Sequence, residues 1–104
     1  MILTTTETIP GKTVTQTLGL VQGNTIRARH MGRDMLAGLK SMVGGEIATY
    51  TAMMRDAREQ AISRMIDQAH ELGANAVVEI RFTTSMVMPQ ASEILAYGTA
   101  VIAE

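Results

Sequence analysis

The side chains able to hold a soft metal ion are two histidines, His30 and His70, and nine methionines; there is no cysteine. Soft metals take thiolates or imidazoles at set spacings. Each histidine stands alone in its segment, and His70-Glu71 lacks the second histidine that would put two imidazoles on one helical face. Methionine thioethers suit a monovalent copper ion. Met53, Met54 and Met65, however, fall on or beside the apolar stripe of a helix, where methionine packs. Met86-Val87-Met88 is the more open candidate, in a segment read as a loop. His30, His70, Met86 and Met88 are thus the metal candidates, although packing or solvated roles are the simpler reading of each. A ring could also build a site from one ligand per subunit.

A second set is polar. Arg58 sits between Ala57 and Ala61, near the buried stripe of the same helix, and its guanidinium needs a carboxylate or carbonyl partner. Asp34, next to Arg33, is a suitable one, and Tyr50 joins them as a ligand-binding candidate. An anion-binding or ligand-orienting group is the functional reading of Arg33, Asp34, Tyr50 and Arg58. A salt bridge or cap at a subunit contact is the simpler one. No nucleophile or base lies nearby in sequence, so no catalytic residue is assigned, no cofactor is legible and the chain reads as a non-enzyme. Gly44-Gly45 could offer backbone N–H groups to an anion. It lacks the Lys and Ser/Thr of a phosphate loop, and Glu46 would repel a phosphate, so it reads as a helix break.

These residues are carried by 104 residues, read as one domain over 1–104. The net charge of −1 argues against a nucleic-acid surface of the basic kind. No stretch approaches the ~20 apolar residues of a membrane span. The start, Met1-Ile-Leu-Thr-Thr, has no basic targeting region, and a cytoplasmic protein is the default. Composition points to a partner. The chain is 46% hydrophobic but only 3% aromatic, with Phe82, Tyr50 and Tyr97 as its aromatic residues. Small and flexible side chains fix a monomer core weakly, and self-association recovers the missing burial.

The pattern gives the following elements. Residues 2–5 form a short strand, and Pro10-Gly11 a turn. Thr13 to about Gln22 is a strand in which Val14, Leu18 and Leu20 share a face. Residues 25–33 are ambiguous and carry the local basic cluster of three Arg and His30. Asp34 to Met42 is a short helix. Glu46 to about Leu72 is a long amphipathic helix, with Ile47, Tyr50, Met54, Ala57, Ala61, Met65, Ala69 and Leu72 at three- and four-residue intervals and Gly73 as its stop. Ala76–Thr84 is a strand with Ala76, Val78, Ile80 and Phe82 on one face. Ser85–Gln90 is a loop, and Ala91–Ala103 is the last strand. That strand is apolar on both faces, which asks for cover on both. One helix covers one face; the second cover is most simply a neighbouring subunit. Being the most apolar, the last strand belongs in the middle of a three-stranded sheet.

Arg33-Asp34, Gly38, Gly44-Gly45, Tyr50, Ala57-Arg58, Ala61, Ala69, the run Leu72-Gly73-Ala74-Asn75-Ala76-Val77-Val78 and Gly98-Thr99-Ala100-Val101 stand in an order and spacing that resembles the YbjQ-like family. These are small bacterial proteins of uncharacterised function with a heavy-metal-binding label. Gly19 and Gly23 fit as well. The resemblance implies an α+β, dodecin-like β-α-β-β unit of two layers: one long helix on a small mixed or antiparallel sheet, the last strand central, with an extra short N-terminal strand. It also implies ring-shaped homopentamers. Together with the two-faced last strand it points to a non-enzymatic homo-oligomeric binding or scaffold module whose partner is itself. A metal-ion-binding protein is the alternative, and a small ligand or metal the further partner. The chain departs from the family pattern at His30, Gly32, Glu46, Thr51 and Glu79, the last standing where Gly is common after Val77-Val78.

Overall fold

The computed structural model describes residues 1–28, 46–89 and 91–104. Strand β1 is Ile2–Leu3, β2 Val14–Ala28, helix α1 Glu46–Glu71, β3 Ala76–Met88 and β4 Ala91–Ala103. The strands form one sheet in the order β1-β3-β4-β2, with β4 antiparallel to both its neighbours and β1 parallel to β3. The last strand is central, as its two-sided apolarity requires. The short helix read over Asp34–Met42 and the Gly44-Gly45 break lie outside the described residues.

Helix α1 packs on one face of the sheet through Ala57, Ala61, Met65 and Ala69, all fully buried. Three of these four are alanines, and small side chains let the helix backbone approach the sheet. Opposite them is Gly23, where a β-carbon would overlap the Ala61 carbonyl oxygen and come within 2.8 Å of Arg64 Cβ. Thr25, two residues on and nearly fully buried, donates its hydroxyl to the Ala57 carbonyl at 2.7 Å. The helix ends in a Schellman turn: Gly73, at φ 81°, donates to His70 O at 3.0 Å and Ala74 donates to Ala69 O at 3.0 Å.

The sheet departs from simple alternation at four bulges, and each moves side chains to the other face. In β2, Thr15 and Leu18 are the extra residues. Val14 therefore packs away from the helix and Leu18 towards it, while Leu20 is 69% exposed on the far face. The shared face expected for Val14, Leu18 and Leu20 is thus corrected. In β3, the register slips between Val78 and Arg81, and Glu79 has a φ of 55°. Ala76 and Val78 face away from the helix, but Val77 and Ile80 face it. The single face expected for Ala76, Val78, Ile80 and Phe82 is broken at that bulge. Two strands are also longer than their patterns suggest. The ambiguous residues 25–28 continue β2 against Ile94–Ala91, and the segment read as a loop from Ser85 continues β3 to Met88.

Both faces of β4 are covered at one end of the sheet. Away from the helix, Ala76, Val78, Val101 and Ala103 are buried beneath Ile2, Ile9 and Val14. This part of the second cover, expected from a neighbouring subunit, is the chain's own N-terminal segment. That segment is tied down by Thr4 N–H to Val77 O at 3.0 Å, Ile80 N–H to Thr4 O and Glu79 N–H to Thr6 O, both at 3.1 Å. Asn75 pins the end of β4, accepting from Ala103 N–H and donating to Ala103 O, each at 2.8 Å.

Candidate functional site

The sequence candidates do not converge in the described residues. His30, Arg33 and Asp34 lie outside them, and Tyr50 is in the first turns of α1. Arg58 is exposed although it follows the fully buried Ala57. His70 is exposed in the last turn of α1. The chain enters β3 a few residues later, and Met86 is ten residues further along that strand, about 33 Å in extended chain. Met86 and Met88 are both exposed, but they sit in a strand and not in a loop. Met86 is opposite Ser92 and Met88 opposite Ala91. Those two residues of β4 are adjacent, so the methionines lie on opposite faces of the sheet. Among the described residues no group of three or more His, Cys, Asp and Glu side chains is placed to hold a metal ion.

Two features missed by the sequence reading stand out. The first is a cavity of about 450 Å³ between the N-terminal segment and the far face of the sheet, with Ile9, Val78 and Val101 as apolar lining and Glu7, Lys12 and Glu79 as charged lining. Glu79 also lines a neighbouring depression with Leu20, Arg81 and Tyr97. A residue with a side chain at positive φ is uncommon, and its position, where the resembling family often has Gly, was the available signal.

The second feature is the contrast between the two sheet edges. Along β2 the helix caps two groups of the edge. Gln68 Oε1 accepts from Gln22 N–H at 2.9 Å, and Arg64 Nη1 donates to Asn24 O. These bonds fix which main-chain groups point outward: Gln22 and Asn24 do, so Gly23 and Thr25 bond inward to Ala96 and Ile94. Tyr97 and Leu95 then bond to Arg81 and Thr83, which leaves Phe82, Thr84 and Met86 pointing their N–H and C=O groups out of the sheet. The N-terminal segment covers the β3 edge as far as Ile80, and Arg81 Nη1 reaches Thr5 O at 2.8 Å. Beyond Arg81, no described main-chain group bonds to that edge. From Phe82 to Met88 all residues are exposed and none is charged.

The model of a family described as "Putative heavy-metal-binding" matches residues 1–104. The chain belongs to the YbjQ-like family. Its relatives include a UPF0145 protein of the archaeon Archaeoglobus fulgidus, 61% identical over 101 residues, covering 97% of this chain and 94% of the relative. A UPF0145 protein of the bacterium Dehalococcoides mccartyi is 60% identical over 104 residues, covering all of both chains. A crystal structure from Pediococcus pentosaceus, of a protein with unknown function assigned to the DUF74 family, is similar in fold. It has a TM-score of 0.67 at 17% identity and covers 100% of this chain and 98% of the other. The YbjQ-like family thus occurs in archaea as well as bacteria, and these comparisons indicate no catalytic function. No described helix is long and apolar enough to cross a membrane.

Proposed function

We propose that this chain is a non-enzymatic, homo-oligomeric binding or scaffold module of the cytoplasm, with the five-membered ring as the assembly its family resemblance implies. The observation that carries this reading is the extent of sheet left uncovered. Helix α1 lies over β2 and β4, so beyond the buried Val77 and Ile80 the described residues leave the helix-side face of β3 open, with Phe82 45% and Met86 76% exposed. On the far face, beyond the reach of the N-terminal segment, Leu20 and Ile26 are exposed too. The described residues extend 53 × 27 × 19 Å with a radius of gyration of 16.9 Å. A compact chain of this length has about 13 Å. A small domain with so much apolar sheet in water recovers burial by covering it with another subunit.

Light scattering at micromolar concentration tests the reading. It predicts a mass several times that of one chain; a single-chain mass that keeps its heat stability on dilution contradicts it. Arg33, Asp34, Tyr50 and Arg58 remain the candidates for orienting a ligand at a subunit contact. The metal-ion reading draws on the family label, with His30, His70, Met86 and Met88 as ligands contributed by different subunits. Titration of the apo protein with copper(I), zinc and nickel decides it. Binding no tighter than roughly millimolar, about 4 kcal/mol, rejects it.

A further inference from the structure

We infer that the cavity between the N-terminal segment and the far face of the sheet binds an aliphatic α-amino acid as its zwitterion. This rests on the binding half of the proposed function and names the ligand class. The walls come from one chain, so the site does not depend on the assembly.

The sheet is irregular where the cavity lies. Both register breaks of β2, at Val14–Gln16 and Thr17–Gly19, flank it, and so does the break of β3 at Val78–Arg81. A regular strand would send Val14 and Thr17 to opposite faces, and likewise the neighbours Val78 and Glu79. All four line the cavity. Glu79 stands there at a φ of 55°, which is costly for a residue with a side chain. Bulges and backbone strain of this kind gather at ligand sites, where the surrounding structure enforces them.

The outer wall is held by bonds of its own. Thr6 O accepts from Glu79 N–H at 3.1 Å, and the Thr6 hydroxyl donates to Thr8 O at 2.6 Å, so Glu7 stands between two tied residues. Arg81 Nη1 ties Thr5 O to β3 at 2.8 Å. Lys12 N–H donates to Ile9 O at 3.1 Å, and Thr13 and Glu104 exchange two main-chain bonds. Charged groups on a backbone fixed in this way lose less freedom on binding.

The lining selects the ligand. Among the described residues, the side chains of Glu7, Lys12 and Glu79 have no hydrogen-bond or ion-pair partner. Two carboxylates attract an ammonium group and repel a phosphate, while Lys12 suits a single carboxylate. Ile9, Val78 and Val101 supply an apolar floor. The volume of about 450 Å³ lies toward the small end of ligand pockets, roughly 300–1,000 Å³. No aromatic residue is among the described lining, so a nucleobase has nothing to stack on. One ammonium, one carboxylate and a branched apolar body together describe leucine, isoleucine or valine.

Calorimetric titration with L-leucine tests the site. The expected result is one site per chain. Glycine, isoamylamine and isocaproate lack the apolar body, the carboxylate and the ammonium in turn, and each is expected to bind at least tenfold more weakly. Glu79→Gln and Lys12→Gln alter exposed side chains, so both should keep the wild-type circular dichroism; each is expected to weaken leucine at least tenfold. Binding of leucine, isoleucine and valine no tighter than roughly millimolar overturns the site. So does an amine or an acid that binds as well as leucine, or leucine binding that neither variant weakens. Light scattering of the same sample keeps the two readings apart. Leucine binding by a single-chain species overturns the assembly and leaves the site, and an assembly that takes no leucine overturns the site alone.

Discussion

Gly23 of β2 and Ala61 of α1 face each other with no room for a side chain between them: a β-carbon on Gly23 would overlap the Ala61 carbonyl oxygen. Backbone stands against backbone there, so relief requires the whole helix to move. Gly23→Ala is expected to destabilise the fold by about 1–3 kcal/mol or more, the range of overpacked cores. Urea denaturation of the two proteins measures this, and an unchanged midpoint contradicts the close approach.

Glu79 is held at a φ of 55° by the bulge that switches the face of β3. Glycine adopts that conformation without its steric cost. Glu79→Gly is expected to raise stability by about 1 kcal/mol, seen as a higher melting temperature. A lower one would mean that the glutamate side chain contributes more than its backbone costs.

The central place of β4 was legible because its apolar residues fall on both parities, and the long helix because Ala57, Ala61, Met65 and Ala69 repeat every four residues. What was not legible turned on bulges. Val14, Leu18 and Leu20 share a parity in the sequence, but the extra residues Thr15 and Leu18 send them to different faces. Nothing in a polar-apolar pattern marks a bulge at a threonine. The cover supplied by Ile9 was equally hidden, because it depends on a non-repetitive segment folding back over Val78 and Val101. Of the candidate site, the individual residues could be named but not their separation. Met86 and Met88 look like a pair in sequence, yet the slip at Val87 puts them on opposite faces.

Placed on opposite faces, Met86 and Met88 of one chain do not chelate one copper(I) ion. On the scaffold reading, in which this strand holds no metal, replacing both by alanine is expected to leave the copper(I) titration of the protein unchanged, as followed by calorimetry. A loss of affinity of tenfold or more would show that thioethers from this strand, on one chain or several, hold the metal.

Asn75 holds the end of β4 through two bonds of 2.8 Å to the Ala103 main chain. Asn75→Ala leaves both groups of Ala103 without that partner. It is expected to cost about 1–3 kcal/mol, at roughly 0.5–1.5 kcal/mol for each bond. Faster hydrogen exchange at the Ala103 amide would locate the loss, and unchanged exchange there would show that water replaces the side chain at no cost.

Native mass spectrometry of the untagged protein at micromolar concentration tests most directly whether further copies of the chain cover its open sheet. The expected result is one discrete species at a whole multiple of the chain mass, five times that mass for the five-membered ring. A spectrum showing only the single-chain mass, with a melting temperature that does not fall on dilution, would contradict it.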